Sequence, residues 1–502
     1  MHQTAELSHI RGTVWIGHLL GVRRLVGALV SKTSTKAVPR HRTPRKGPAA
    51  TAVIKMIRRV IVALVRLALR IYFQRIEVTG VEHVPLDTPV IFVLNHPNAL
   101  VDPVFLLSLA PRPVSFLAKA PLFRMPVIGY LVKALDSLPV YRRQDEGQDV
   151  SKNEETFVAA RRLLSCGGTI GICPEGVSHD DPGLKPIKTG AARISLAAVS
   201  TGEVSKLKIV PAGLYYTSKT RFRSDGLLYF GNPIDVEPVT LEPDGTPPRE
   251  AVRQLSSQIE AALRAVILDA KHEEELQTTA RAERIFSSAS NGGEPESLKD
   301  ELRLQQRFIK AYPIIQSLHP ERLRRLELRM LRFEQELSQA GVDTEELSPP
   351  GSTWRVTAAI VRRSLLFLLM LGPALIGTVT HYPAYKLGGY LATRLSRDSD
   401  DVISTIKIIS AMLLFPLTWI VLTVLAYVLF GWLIALITLV VIPFSGYAAI
   451  LFYEELDKSI AGLRVLTFFL VERKFFVRLL AERNAIRDEI IALGKETPAA
   501  SE

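Results

Sequence analysis

His96 and Asp102 lie just beyond the apolar run Pro89 to Leu94, six positions apart. A neutral imidazole near pH 7 takes a hydroxyl proton, and a carboxylate on its other nitrogen fixes the tautomer and stabilises the imidazolium. The apolar run reads as a buried strand that Asn95 to Pro97 break. That places His96 at the C-terminal edge of the strand, where ligands enter open α/β sheets. If Asn98 to Asp102 open a helix, the carboxylate swings back toward the strand end, although six positions is not ideal helical spacing. A blander reading makes His96 a turn residue and Asp102 a helix cap, and this motif alone does not separate the two.

The same pattern recurs along the chain. Thr169 to Cys173 form a second short apolar strand ending in Pro174-Glu175-Gly176-Val177-Ser178-His179-Asp180-Asp181, followed by Lys185 and Lys188. Ser137 to Tyr141 form a weaker strand ending in Arg142-Arg143, a guanidinium pair suited to gripping a phosphate. Lys208 to Tyr216 give a fourth strand. Lys188 precedes Thr189-Gly190 and an apolar helix from Ala191 to Val199, so it lies near a helix N-terminus that favours anions.

Four blocks, H-P-N-A-L-V-D-P, V-Y-R-R, P-E-G-V-S-H-D and I-V-P-A-G, stand here in the order in which the glycerolipid acyltransferase superfamily carries its motifs. The stretch from about residue 75 to 235 resembles that superfamily, and within it the fungal-type branch of glycerol-3-phosphate and dihydroxyacetone-phosphate acyltransferases. The resemblance implies that His96 is the base, Asp102 its partner, Arg142 or Arg143 a ligand of the acceptor's phosphate, and Glu175 and Gly176 part of the acceptor pocket, with Ser178 beside them. It implies no cofactor, and acyl-CoA or acyl-ACP as the donor substrate. The sequence departs from the family pattern twice. Five residues, Pro97 to Val101, separate the histidine and aspartate where the family usually has four, and Cys173 stands where the third block usually carries phenylalanine.

Acyl transfer from a thioester to an alcohol needs a base, donors for the developing oxyanion and a clamp on the alcohol. His96 supplies the first. Backbone N–H groups near Asn98 or Gly176 are candidates for the second and Arg142 and Arg143 for the third, while Lys185 and Lys188 are candidates for contacting the phosphates of a donor such as coenzyme A. Rival chemistries fit less well. His96, His179, Asp180 and Asp181 lack the H-x-x-x-H or H-E-x-x-H spacing of a metal site. Ser178 lacks the G-x-S-x-G of a nucleophile elbow. Cys166 and Cys173 are not spaced as a redox pair, and two cysteines in 502 residues fit a reduced compartment.

The remaining segments set where this chemistry happens. From Ile408 to Tyr453 there is no charged residue, enough for two membrane helices, about 411–430 and 432–452, joined near Gly431. A shorter run, 364–380, is broken by Gly372-Pro373 and flanked by basic residues on both sides, so it reads as interfacial or re-entrant. Residues 51–75 form an amphipathic helix whose Lys55, Arg59, Arg66 and Arg70 fall within an arc of about 60° at 100° per residue, suited to lying on anionic lipid. Residues 1–50 are basic and read as disordered, with Met56 a candidate alternative start. Residues 248–348 are a charged helical region around a Ser/Gly linker at 287–295, Ser348-Pro-Pro-Gly-Ser marks its boundary, and 456–502 form a tail.

The net charge of +12, from 62 basic and 50 acidic residues, raises the question of nucleic acid. No nucleic-acid module is present, and the basic residues gather in the N-terminal segment and at membrane flanks, so lipid is the expected partner. The expected architecture is α/β, a glycerolipid-acyltransferase-like mixed sheet at 76–247 with flanking helices, a helical arm and C-terminal transmembrane helices. The expected activity is membrane-bound transfer of a fatty acyl group from a thioester to glycerol 3-phosphate or a related glycerol phosphate, with the catalytic domain facing the cytoplasm. A 1-acylglycerol-3-phosphate acyltransferase, a phospholipid transacylase and a catalytically silent lipid-binding scaffold are the alternatives.

Overall fold

The structure is a computed structural model that describes residues 48–125, 128–142, 145, 149–290, 297–344, 347, 353–396 and 400–496. The reading of residues 1–47 as disordered, most of the linker at 291–296, the boundary at 348–352 and Arg143 lie outside the described residues.

A helix α1 (Pro48–Tyr72) leads into β1 (Arg75–Thr79) and β2 (Val90–Leu94). There follow α2 (Val101–Leu109), β3 (Ser115–Lys119), α3 (Ile128–Ala134), β4 (Leu138–Val140), α4 (Asn153–Ser165), β5 (Thr169–Ile172), α5 (Gly190–Ser200), β6 (Lys208–Tyr216), β7 (Asp225–Phe230), β8 (Ile234–Asp235) and α6 (Arg249–Arg264). The strands form one mixed sheet in the order β1-β7-β6-β2-β5-β3-β4, with β8 paired to β6. β6, β2, β5, β3 and β4 run parallel, so their C-terminal ends share one edge. β7 is antiparallel to β6.

The apolar runs are continuous because the central strands are covered on both faces. Val90, Phe92 and Leu94 of β2 point into a core with α1 and α2, through Leu69, Tyr72, Phe73 and Phe105. Ile91 and Val93 point into the opposite core with α4, α5 and α6. Each such side chain, once fully buried, contributes about 1.5–3 kcal/mol. Val252, Leu255 and Ile259 of α6 belong to the second core, so the catalytic layer runs past residue 247. A purely amphipathic, charged helix is hard to assign by sequence to one side of that boundary, and packing decides it.

α1 packs on the catalytic domain through Leu69 and Tyr72, with Phe73 just past its end in the same core. Arg58 donates to Val114 O at 2.6 Å and Arg66 Nε to Ser108 O at 3.0 Å. Arg66, grouped by periodicity with an outward cationic face, therefore serves a carbonyl at the end of α2. The outward stripe is apolar: Met56, Val60, Leu64 and Leu67 are all more than half exposed.

Beyond the sheet come α7 (Glu273–Ser290), α8 (Leu298–Leu318), α9 (Pro320–Ala340), α10 (Thr353–Leu395), α11 (Asp400–Phe430), α12 (Trp432–Val471) and α13 (Arg473–Lys495). α10, α11 and α12 each contain a stretch long and apolar enough to cross a membrane. Pro373, Pro383, Pro416 and Pro443 lie inside these helices without ending them. The segment 364–380 is thus part of one 43-residue helix. Gly431, at φ +85°, is the single joint between α11 and α12. The charged region and the tail come together: Leu326, Met330 and Phe333 of α9 share a core with Ile285, Leu347, Phe468, Phe476 and Leu479. Arg322–Glu489 at 2.5 Å, Arg329–Glu482 at 2.9 Å and Arg478–Glu336 at 2.7 Å line its rim.

Candidate active site

The shared C-terminal edge of the parallel strands carries the residues singled out by sequence. β2 ends at Leu94, and Asn95 then clamps the chain to β6 by two bonds: its Nδ2 donates to Leu214 O at 3.0 Å, and Leu214 N–H donates to its Oδ1 at 2.8 Å. The side chain of Asn95 thereby continues the strand pairing for one more step and fixes where His96 starts. The loop turns through Ala99 at φ +36°, a left-handed conformation that non-glycine residues rarely adopt. This turn absorbs the fifth intervening residue and brings the first turn of α2 back toward the strand end.

His96 Nδ1 lies 2.9 Å from Asp102 Oδ2. With the Nδ1 proton donated to the carboxylate, Nε2 carries the lone pair that can meet a hydroxyl. The imidazole is 18% exposed and the Asp102 carboxylate wholly buried. Asp102 Oδ2 also accepts the Asn98 N–H at 2.7 Å, and Oδ1 accepts the Tyr216 hydroxyl at 2.8 Å. Burial pushes the Asp102 carboxyl above its ordinary range, while His96, the Asn98 N–H and Tyr216 pull it back. Burial and the neighbouring Asp102 raise the Tyr216 phenol well above its ordinary value, so it remains a donor.

Glu175 faces inward. Its Oε1 accepts the His96 N–H at 2.9 Å, and its Oε2 accepts the Lys185 N–H at 3.0 Å and meets His179 Nε2. His179 N–H in turn donates to His96 O at 3.2 Å. The resemblance assigned Glu175 to the acceptor pocket, whereas its oxygens here brace the two loops that form the site. Asn98 is likewise fully buried and holds the Lys219 carbonyl at 3.3 Å. The two amides named as oxyanion donors are engaged as well, Asn98 N–H with Asp102 and Gly176 N–H with Cys173 O at 3.1 Å. Ser178 lies half-buried between Gly176 and His179.

A cationic cluster lies on the same edge. Arg142 donates to Gly176 O at 2.6 Å and pairs with Asp145 at 2.6 Å. Gly176 has φ +74°, and a Cβ there would come within 2.5 Å of Lys188 Nζ, so the lysine lies directly over the glycine. The hydrogen bond from Arg142 lowers the Asp145 carboxyl, assisted by the charges of Lys119 and Lys188. Lys119, the last residue of β3, was missed in the sequence. Its signal was the same one used elsewhere, an apolar strand ending in a polar residue. Tyr216 and Asn95 were missed because no spacing announces a partner on another strand. Among the described residues no group of three or more His, Cys, Asp or Glu is arranged to hold a metal ion.

Residues 75–215 match the acyltransferase family model, and residues 284–498 match the model of the glycerol-3-phosphate acyltransferase 2 C-terminal domain. The chain thus resembles the glycerolipid acyltransferases over both its sheet and its C-terminal helices. The first match spans β1 to all but the last residue of β6, with His96, Asp102, Arg142, Glu175 and Lys188 inside it and Tyr216, β7 and β8 beyond it, and the second spans the last part of α7 and all of α8 to α13. The chain is 25% identical over 295 residues to glycerol-3-phosphate O-acyltransferase 2 of Saccharomyces cerevisiae, covering 55% of the chain and 38% of the relative. It is 24% identical to an uncharacterized acyltransferase of Schizosaccharomyces pombe, covering 78% of the chain and 74% of the relative. It is 29% identical to the chloroplastic 1-acyl-sn-glycerol-3-phosphate acyltransferase LPAT1 of Arabidopsis thaliana, covering 32% of the chain and 42% of the relative. The chain thus spans less than half the length of the first and third of these relatives.

Proposed function

We propose that this chain transfers a fatty acyl group from a thioester to the hydroxyl of glycerol 3-phosphate. The observation that carries the reading is the 2.9 Å His96–Asp102 pair on the strand edge that also holds Arg142, Lys188 and Lys119. His96 Nε2 takes the proton of the acceptor hydroxyl as its oxygen attacks the thioester carbonyl. Asp102 stabilises the imidazolium. When the tetrahedral intermediate collapses, the C–S bond breaks and the departing thiolate takes the proton from His96, leaving ester, free thiol and the starting tautomer. No acyl-enzyme forms. The cations hold the acceptor's phosphate, which places its hydroxyl in line. Relatives named for glycerol 3-phosphate and for 1-acylglycerol 3-phosphate support a glycerol-phosphate acceptor.

The test is acyl transfer by membranes bearing the wild-type chain or His96→Ala. Labelled acyl-CoA or acyl carrier protein is offered with glycerol 3-phosphate, dihydroxyacetone phosphate or 1-acylglycerol 3-phosphate. Product from glycerol 3-phosphate that falls about 10²- to 10⁴-fold in the variant supports the reading. Product from 1-acylglycerol 3-phosphate alone shifts the acceptor, and no product from any pair sinks the reaction.

We further infer that α11 and α12 cross the membrane as a hairpin while α10, one unbroken helix, lies across the cytoplasmic end of that hairpin as an interfacial helix, leaving the catalytic domain and the C-terminal helix together on the cytoplasmic side. Leu347, ahead of α10, and Phe468, near the end of α12, share one core, which favours an even number of crossings between them. Ser410 and Phe452 lie 21 residues either side of Gly431 and so at one level of the hairpin. α10 meets that level twice, with Gly388 beside Ser410 and Phe367 against Phe452 at 5.4 Å. Between these points His381 accepts from Trp419 Nε1 at 2.8 Å, which ties the middle of α10 to α11. Arg362, Arg363, Lys386 and Arg394, inside α10 at either end of its apolar stretch, then lie on a single side, as cytoplasmic flanks do. A membrane-impermeant thiol probe should reach Arg363→Cys and Lys386→Cys from the side on which it reaches Cys166. Opposite-sided labelling would refute this topology.

A further inference from the structure

The catalytic loop is held partly from the membrane hairpin. α2, which carries Asp102, begins after Leu100, a residue with no side-chain group to cap the helix. The first N–H groups of a helix have no intrahelical partner and need one from elsewhere. Here the Leu100 N–H donates at 3.2 Å to Thr405 Oγ1, which stands 305 residues later at the head of α11. Neighbouring bonds converge on the same place. Ser404, fully buried, donates to Lys219 O and lies 2.7 Å from the Tyr72 hydroxyl. Lys407 Nζ donates to Thr220 O at 2.7 Å. The Lys219 carbonyl is the one that also receives Asn98 Nδ2 at 3.3 Å. Ile408 packs against the core beneath α1 and α2.

We propose that Thr405 is a positioning residue of the active site: from the first membrane helix it caps α2 in trans, with Ser404 and Lys407 securing the 219–220 turn, and so fixes the loop on which His96 and Asp102 meet. The proposal rests on the acyltransferase reading above. These bonds are concentrated on the catalytic loop and on the turn that holds Asn98. Mere attachment of hairpin to domain would need no such focus, because the ion pair of Arg223 with Glu454 of α12 already ties the two together away from the loop. The exposed apolar part of α11 begins at Ile409, Met412 and Leu413. At 1.5 Å per residue the cap therefore stands within about 10 Å of the lipid-facing helix. The consequence is that the chemistry is set up only while the hairpin is seated, with the acyl chain already at the bilayer.

The experiment uses the full chain in its membrane, comparing wild type with Thr405→Val, Thr405→Ser and His96→Ala. Thr405→Val keeps the shape and removes the acceptor, and Thr405→Ser restores it. Loss of one hydrogen bond at this point is expected to lower kcat about tenfold in Thr405→Val with KM for the thioester unchanged, and Thr405→Ser to recover most of it. Hydrogen exchange at the Leu100 amide should quicken in the valine variant and not in the serine variant. Wild-type kcat in Thr405→Val, or equal loss in both variants, overturns the proposal. If wild type shows no transfer that depends on His96, the acyltransferase reading fails, and the Leu100 exchange still decides the trans cap: unchanged exchange in Thr405→Val overturns it.

Discussion

The hydroxyl of Tyr216 donates at 2.8 Å to Asp102 Oδ1, the oxygen that His96 leaves free. The aspartate is thus held from two sides, by the base it serves and by the last residue of β6. A carboxylate buried this completely is ionised at a cost, and each donor to its charged form offsets part of that cost.

In Tyr216→Phe the fold should survive, since the ring stays packed against Phe73 and Phe105. Losing a hydrogen bond to a charged group costs about 1.5–3 kcal/mol, so kcat should fall roughly 10- to 100-fold. Burial already holds the Asp102 carboxyl above its ordinary range, and loss of a donor to the ionised form raises it further. Protonated Asp102 no longer supports His96, so the acid limb of the kcat profile should move to higher pH. An unmoved acid limb would show that Tyr216 does not act through the carboxylate.

Glu175→Gln separates bracing from direct acceptor binding. An amide in place of the carboxylate turns an NH₂ toward one of the donors now satisfied at His96 N–H, Lys185 N–H or His179. An unsatisfied buried group costs about 1–3 kcal/mol, so thermal unfolding should come several degrees earlier and kcat should fall while KM for the acceptor holds. A rise in acceptor KM with unchanged kcat would return Glu175 to the acceptor pocket.

Lys119→Ala and Lys188→Ala test the phosphate clamp. Each should raise the acceptor KM by about tenfold or more through loss of a charge-assisted contact, with the larger effect at low ionic strength, where screening is weakest. Gly176→Ala should act in the same direction, because its methyl would displace Lys188 Nζ and strain a left-handed backbone. Titration of KM against salt for the three variants decides it.

The two cysteines should differ sharply toward a thiol reagent. Burial, with Asp102 and Glu175 nearby, raises the Cys173 thiol well above its ordinary value, whereas Cys166 is exposed. A raised thiol pKa means less thiolate at a given pH and slower attack. At pH 8 the native chain should therefore label at Cys166 alone, and Cys173 should react only on unfolding, as mass spectrometry of the labelled peptides would show.

What the sequence determined by itself was the set of strand ends and the pair of long apolar helices α11 and α12. Buried parallel strands are written as unbroken apolar runs, and turn residues must follow them, so Leu94 to His96, Tyr141 to Arg142 and Cys173 to Glu175 were legible without coordinates. The uncharged run from Ile408 to Tyr453 was legible for the same reason, since apolar solvent tolerates little else. Tertiary structure alone decided the partners. Six positions between His96 and Asp102 become a contact only because Ala99 turns left-handed and Asn95 pins the loop to β6. Tyr216 reaches Asp102 across 114 residues, and Thr405 reaches Leu100 across 305. No local periodicity encodes such pairs, because a hydroxyl that caps a distant helix has the same chemistry as one that faces water. The charged region and the tail were read as separate, yet α9 and α13 bury one core together, their apolar stripes finding each other only once the hairpin has brought the chain back.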